Sequence, residues 1–229
     1  MAVAGINGEQ DGLFGSLTPA TANQHFLAKA YQDLLGRAVD PGAQTFWGGM
    51  LDQGVAPAQV ALGIENTPEF RTNEVQLLYT QLLHRAADPV GLMNDVAFLA
   101  SGGTVEQLKV LIVSSPEYFA SRGGGSNAGF VNAAFMDLLN RSTTGDPGAQ
   151  GLVTALNNQT MTRSQVATAI VYSPEAARVL VQGFYTRFLH RAADPSGLNA
   201  WVAQLQSGTR DEVVIAGIVG SPEYFQAGL

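Results

Sequence analysis

The chain contains no cysteine, which excludes disulfides, thiolate catalysis and any cysteine-based metal site. Charge is sparse as well. Only 14% of residues are charged, against about 25% in ordinary soluble domains. Lys and Arg number 12 and Asp and Glu 19, a net charge of −7. A nucleic-acid binder would show a basic stripe, and charge-driven binding to an anionic membrane needs the same sign, so neither partner is expected. No run approaches the roughly 18 apolar residues of a membrane helix, so no membrane insertion is expected. The three histidines, His25, His84 and His190, are too scattered for a metal cluster. The opening MAVAGINGEQDGLFGS lacks a basic region and carries Glu9 and Asp11, so it is not read as a signal peptide. G-x-S-x-G, P-loop, H-E-x-x-H and EF-hand patterns are missing. No enzymatic activity and no cofactor are therefore expected. A few Asp side chains and carbonyls could hold calcium, yet no motif points to it.

What the sequence does have is repetition. Four phrases align: LLGRAVDPGA (Leu34–Ala43), LLHRAADPVG (Leu82–Gly91), LLNRSTTGDPGA (Leu138–Ala149) and FLHRAADPSG (Phe188–Gly197). Each is followed by a second phrase, TPEF at Thr67, SPEY at Ser115, SPEA at Ser173 and SPEY at Ser221. In every copy the Pro of the second phrase lies 28 positions after the Asp of the first. Copies one and three share DPGAQ, and copies two and four share HRAADP; matching Asp residues lie 106 apart. The pattern describes a two-repeat unit that was duplicated whole.

The phrases read as helix starts. Asp40, Asp88, Asp146 and Asp194 precede Pro, the pattern of an Asp N-cap with Pro at the first helical position. Thr67, Ser115, Ser173 and Ser221 precede Pro-Glu, a hydroxyl cap with an acid in the first turn, where it suits the helix dipole. A third start lies between them: TRSQ at Thr162 is a capping box, and TVEQ at Thr104 places an acid and an amide in its first turn. Apolar residues then recur at helical spacing. The spacing predicts continuous helices near Pro68–Arg85 and Pro174–Arg191. The expected fold is all-α, tandem helical repeats in two duplicated lobes. Residues 1–23 read as a flexible lead-in, 24–122 as lobe one, 123–128 as a Gly-rich linker and 129–229 as lobe two. Three consecutive glycines end a helix, so each lobe is expected to fold alone.

The repeated charges are candidates for a structural joint. Arg37, Arg85, Arg141 and Arg191 end the long helix, where a cation suits the dipole. The capping Asp40, Asp88, Asp146 and Asp194 lie within plausible reach. Glu69, Glu117, Glu175 and Glu223 are further partners. An Arg clipping two helix ends together is the preferred reading over a ligand-binding or catalytic Arg. His84 and His190 occur only in copies two and four, where Gly36 and Asn140 fill the slot elsewhere; a joint that accepts Gly does not need an imidazole. They remain candidate ligand-facing residues, although an exposed helix-end His is the plainer reading. Trp47 and Trp201, seven residues after their Asp, are the candidate sugar platform or, more plainly, core anchors.

The pattern Y-x-x-L-L-x-R-x-x-D-P-x-G followed by S-P-E-Y resembles an uncharacterised bacterial repeat family, a domain of unknown function, over about residues 27–226. The chain is also similar to the phycobilisome linker domain, a helical module that joins proteins into assemblies. The resemblance implies an all-α fold, an extracellular or cell-surface location and an assembly role, and it implies no catalytic residue. Copy three departs most, with two extra residues in STTGDP and no aromatic in SPEA, so its joint is expected to be looser. The function expected is a non-enzymatic interaction or assembly module of a secreted or surface-associated bacterial protein, with a protein partner. The alternative is a carbohydrate-binding module that meets a surface glycan through exposed aromatics.

Overall fold

Eight helices begin at a proline that follows Asp, Thr or Ser, as the phrases require. The computed structural model describes residues 21–226, and among them there is no strand. Copy one supplies α1 (Ala22–Leu35), α2 (Pro41–Asp52) and α3 (Pro57–Glu65). Then α4 (Pro68–Leu83) runs into copy two, with α5 (Pro89–Ala100), α6 (Val105–Val113) and α7 (Pro116–Ser121). Copy three holds α8 (Asn127–Leu139), α9 (Pro147–Asn157) and α10 (Arg163–Val171). It joins copy four through α11 (Pro174–Leu189), followed by α12 (Pro195–Gln206), α13 (Asp211–Val219) and α14 (Pro222–Gln226).

The caps explain why these helices start where they do. Asp40, Asp88, Asp146 and Asp194 each accept a backbone N–H two or three residues on, at 2.8–3.2 Å. Thr67, Ser115, Ser173 and Ser221 do the same through their hydroxyls. Such a cap is worth about 1 kcal/mol. Thr162 with Gln165 forms the expected capping box, and so does Thr104 with Gln107. A third box, Thr21 with Gln24, starts α1 inside the stretch assigned to the lead-in. The rest of that stretch, residues 1–20, lies outside the described residues.

The long helices stop two residues early for a definite reason. Gly36, His84, Asn140 and His190 all take the left-handed conformation, with φ of 71°, 56°, 56° and 54°. That conformation ends a helix, and Gly or Asn adopts it most readily, His less so. The Gly/His/Asn/His column is therefore a column of C-terminal caps, and the two exposed histidines occupy it for backbone reasons. A side chain in this region carries strain that Gly does not. His190→Gly is expected to raise stability by about 1 kcal/mol, measured by urea unfolding; a loss would give the imidazole a role of its own.

The two-lobe division is corrected by the packing. One core joins Phe26, Leu27 and Tyr31 of α1 and Val60 and Ile64 of α3 to Val181 and Phe188 of α11, Val214 and Ile218 of α13 and Tyr224 of α14. The other joins Val75 and Leu78 of α4, Leu108 and Val113 of α6 and Tyr118 of α7 to Phe130 and Phe135 of α8 and Val166 and Ile170 of α10. Copy one thus shares its core with copy four, and copy two with copy three. The third helix of each copy packs on a counterpart, α3 on α13 and α6 on α10. The first of these crossings is close: a Cβ on Gly220 would stand 2.3 Å from the backbone N of Ala58.

The stretch 123–128 is a hydrogen-bonded corner rather than a linker between lobes. Gly123 N donates to Tyr118 O at 3.1 Å, Gly125 N to Phe119 O at 3.0 Å, and Ser126 caps α8 through Gly129 N. Gly124 and Gly125 have φ of 58° and 70°, and a Cβ on Gly129 would lie 2.1 Å from Gly123 O. The glycines let α7 fold back onto α8, where Tyr118 and Phe130 meet edge to face. The same arrangement recurs between α14 and α1, which the chain does not connect. Tyr224 meets Phe26 edge to face. Tyr224 Oη donates to Asp33 Oδ2 at 2.7 Å, as Tyr118 Oη donates to Asp137 Oδ2 at 2.7 Å. The four copies close into a ring with pseudo-twofold symmetry.

Candidate functional site

The joint residues meet as the sequence suggested, and the geometry is nearly the same four times. Arg37 reaches Glu69 through two parallel bonds, Nε to Oε1 at 2.5 Å and Nη2 to Oε2 at 2.7 Å. Arg85 holds Glu117 at 2.5 and 2.7 Å, and Arg191 holds Glu223 at 2.5 and 2.6 Å. Arg141 holds Glu175 in the same fork. Each guanidinium also lies over an aromatic ring of the helix it ends: Tyr31, Tyr79, Phe135 or Tyr185, at 4.8–5.2 Å. The fork fits the flat guanidinium and no other cation. It ties the end of the first helix of each copy to the first turn of the Thr/Ser-Pro-Glu helix that follows, α4, α7, α11 or α14. The arginines hold all four Glu carboxyls below the usual range. Backbone N–H groups at the caps do the same first for Asp40, Asp88 and Asp146.

The third joint is not looser. Arg141 Nη1 reaches Asp146 at 2.7 Å, whereas the matching pairs stand at 3.2 Å for Arg37 and 3.7 Å for Arg85 and Arg191. In the short copies that nitrogen donates to the carbonyl of the next residue, Ala38, Ala86 or Ala192, and only Arg37 also bonds its Asp. The two extra residues, with Gly145 at φ 74°, give the Asp room to come round to the guanidinium. Arg85→Ala or Arg191→Ala removes the fork and the ring contact together. Each is expected to lower the midpoint of thermal unfolding by a few degrees, modest because the pair is partly exposed. A variant that melts like wild type yet loses a ligand would make the arginine a binding residue.

Trp47 and Trp201 are half-buried and packed against the first core. Trp47 Nε1 donates to Tyr31 Oη at 2.9 Å. Its ring lies over Gly63, where a Cβ would meet it at 2.7 Å, and Trp201 lies over Gly217 in the same way, at 2.5 Å. Asp95, in the matching slot of copy two, accepts from Tyr79 Oη at 2.9 Å. The slot faces inward in copies one, two and four, and each indole is packed on one side against a glycine of the third helix of its copy, Gly63 or Gly217. Phe46, beside Trp47, is 61% exposed.

The sequence pointed to none of the groups at the centre of the ring. A cavity of about 840 Å³ lies between α4, α6, α11 and α13, lined in part by Glu106, Lys109, Arg187, Arg210 and Asp211. Asp211 is 3% exposed and its Oδ1 has no hydrogen-bond partner; Glu106 Oε1 is likewise buried and unpaired. Glu65, at the end of α3, is 2% exposed with both carboxylate oxygens unpaired. Burial, with Glu106 next, raises the Asp211 carboxyl well above its ordinary value. In the sequence Asp211 reads as an acid in a first helical turn and Glu65 as a surface acid at a helix end; no spacing marks them. Among the described residues no three His, Asp or Glu side chains converge as metal ligands, and no helix is long and apolar enough to cross a membrane.

A family model described as "Domain of unknown function (DUF4214)" matches residues 13–74, 111–180 and 176–227. Each matched segment contains one Asp-Pro phrase with the Thr/Ser-Pro phrase that follows it. No curated protein and no solved structure matches the chain.

Proposed function

The chain belongs to the DUF4214 family, and we propose that it is a non-enzymatic interaction or assembly module of a secreted or surface-associated bacterial protein. One observation carries the reading. The repeated Arg, Glu, Asp and Trp residues are spent on internal contacts, while Val90 and Met93 on α5, one helical turn apart, are 61% and 64% exposed. Large apolar side chains held side by side on an outer helix suit a protein partner, since interfaces draw on apolar and Met side chains at their centre. The packed indoles favour such a partner over a surface glycan. The location outside the cell rests on the resemblance to repeats of surface proteins, and the linker-like role on the similarity to the phycobilisome linker domain.

The test uses the full chain, immobilised, against bacterial envelope and culture-supernatant proteins, with Val90→Glu/Met93→Glu as the comparison. The variant is expected to melt like wild type and to retain at least ten-fold less of a saturable partner. Equal capture by both forms, or saturable binding to a glycan array that Val90→Glu/Met93→Glu leaves unchanged, would overturn the reading.

A further inference from the structure

The two crossings of the ring use matching helices and different residues. Glu65 ends α3 and Asp211 begins α13, where copy one packs on copy four. Their counterparts, 106 positions away, are Val171 and Val105, which end α10 and begin α6 where copy three packs on copy two. All four side chains are buried. The same place in the same fold thus holds two valines at one seam and two carboxyls at the other, so the crossing as such needs no acid. Nor do the carboxyls complete a network. Both oxygens of Glu65 and Oδ1 of Asp211 lack a hydrogen-bond partner among the described residues, a costly state for a buried acceptor.

The seams also differ in what closes them. The chain itself joins copies two and three, through the hydrogen-bonded corner at 123–128. Copies one and four have no such link between α14 and α1 and meet through non-covalent contacts alone. Charges from several elements act on the two acids. Asp211, Glu212 and Glu74 of α4 repel a charge on Glu65, and Arg187 of α11 favours it. Glu106 of α6 repels a charge on Asp211, and Lys109 of the same helix favours it. Arg210 grips Glu212 at 2.8 and 3.1 Å. On the other helices against this crossing, Lys29 is paired with Asp33 on α1, Asp52 of α2 accepts from Asn23, and Glu223 of α14 is held by Arg191.

A buried acid ionises readily only where water reaches it, and here water reaches both acids when α3 and α13 part. Burial, then Asp211, pushes the Glu65 carboxyl up to about 10, and burial, then Glu106, raises Asp211 well above its ordinary value. The closed seam therefore keeps both protons, and the open seam loses them at the ordinary carboxylate values of about 4. Closure is strongest below about pH 4 and weakens as the pH rises, by about ten-fold in the open-to-closed ratio per pH unit for each proton released. Glu212 is lowered instead, so it is already charged and releases none. We propose that the α3–α13 seam is a proton-operated latch: Glu65 and Asp211 keep copies one and four closed while protonated, and the seam opens locally, ahead of the rest of the ring, as their protons leave. Opening uncovers Val60, Ile64, Val214 and Ile218, while the valine seam between copies two and three stays shut.

The experiment is amide hydrogen exchange on the full chain from pH 6 to pH 8, with each rate compared with its intrinsic value to give a protection factor. At pH 8 the amides of α3 and α13 are expected to be at least ten-fold less protected than those of α6 and α10. Their protection is expected to fall at least ten-fold per pH unit. Glu65→Val/Asp211→Val, which copies the opposite seam, is expected to bring α3 and α13 to the level of α6 and α10 and to remove most of that slope. Glu65→Gln/Asp211→Asn is the second variant should the first not fold. Equal protection at both seams of the wild-type chain would mean that the acids act on global unfolding alone, and would overturn the latch. A gap or a slope that the variants leave unchanged would overturn it as well.

Discussion

Residues 1–125 and 126–229, produced separately, are expected not to melt cooperatively as monomers. The glycine corner at 123–125 is the natural place to cut, and the sequence marks it as a boundary. The cut falls across both cores, however. In the first fragment Phe26, Val60, Ile64 and Phe70 would lose Val181, Val214, Ile218 and Tyr224. Val75, Leu108 and Val113 would lose Phe130, Val166 and Ile170. Uncovering four such side chains forfeits about 6–12 kcal/mol at 1.5–3 kcal/mol each, as much as the net stability of a typical domain, about 5–15 kcal/mol. Mixing the two fragments is expected to restore one cooperative transition, followed by circular dichroism on heating. The pseudo-twofold offers each fragment another outlet, a homodimer in which copy one meets copy two, or copy three meets copy four, of a second molecule, so the melts are run over a range of concentrations. A permuted chain that starts at Ser126 and links Gln226 to Thr21 keeps every core contact and is the control; it is expected to fold. Two fragments that each melt cooperatively, independently of concentration and as monomers, would sink the argument.

Glu65→Gln is expected to stabilise the protein at neutral pH, and increasingly so as the pH rises. Burial, followed by the field of Asp211 and other acids, pushes the Glu65 carboxyl from about 4.5 up to about 10. A raised pKa fixes the sign. Below about pH 4.5 the acid is neutral in both folded and unfolded chains, and its contribution is fully present. Above that the unfolded chain loses the proton while the folded chain keeps it, so stability falls with pH until the folded group titrates. Asp211 and Glu74, also raised mainly by burial, act in the same direction. The Glu and capping Asp carboxyls of the joints are lowered instead. Their contribution is present above the ordinary carboxylate range and lost as the pH falls below it. The two groups together place the stability maximum on the acid side of neutrality, near pH 5. Gln has a similar shape and no proton to lose. It should match wild type at pH 4 and exceed it by about 3 kcal/mol at pH 7, a rise in melting midpoint of roughly 6–12 °C for a chain of this size. Thermal melts from pH 4 to pH 9 decide it; a Gln variant less stable than wild type at pH 8 would mean that the ionised carboxylate has a favourable partner in the folded chain.

The sequence by itself determined the helices and their joints. Asp-Pro, Ser-Pro-Glu and Thr-x-x-Gln each fix a helix start through bonds that span two or three residues, and such bonds are readable because both partners stand in one short phrase. The Arg-to-Glu clips were legible for a related reason: the same two residues recur at the same spacing four times. The left-handed caps were not read: the spacing carried the helices on to Arg85 and Arg191, and the backbone turns to positive φ at His84 and His190 instead. Only the tertiary structure decided which copies share a core. Apolar periodicity says that a face must be buried and does not say against what, and four near-identical repeats offer near-identical faces. Copy one could pack on copy two or on copy four with similar residues; the choice rests on long-range fits such as Gly220 against Ala58 and Tyr224 against Phe26. The central acids were hidden for the same reason. Glu65 at a helix end and Asp211 in a first turn look solvated in sequence, and only the meeting of α3 with α13 takes them out of water.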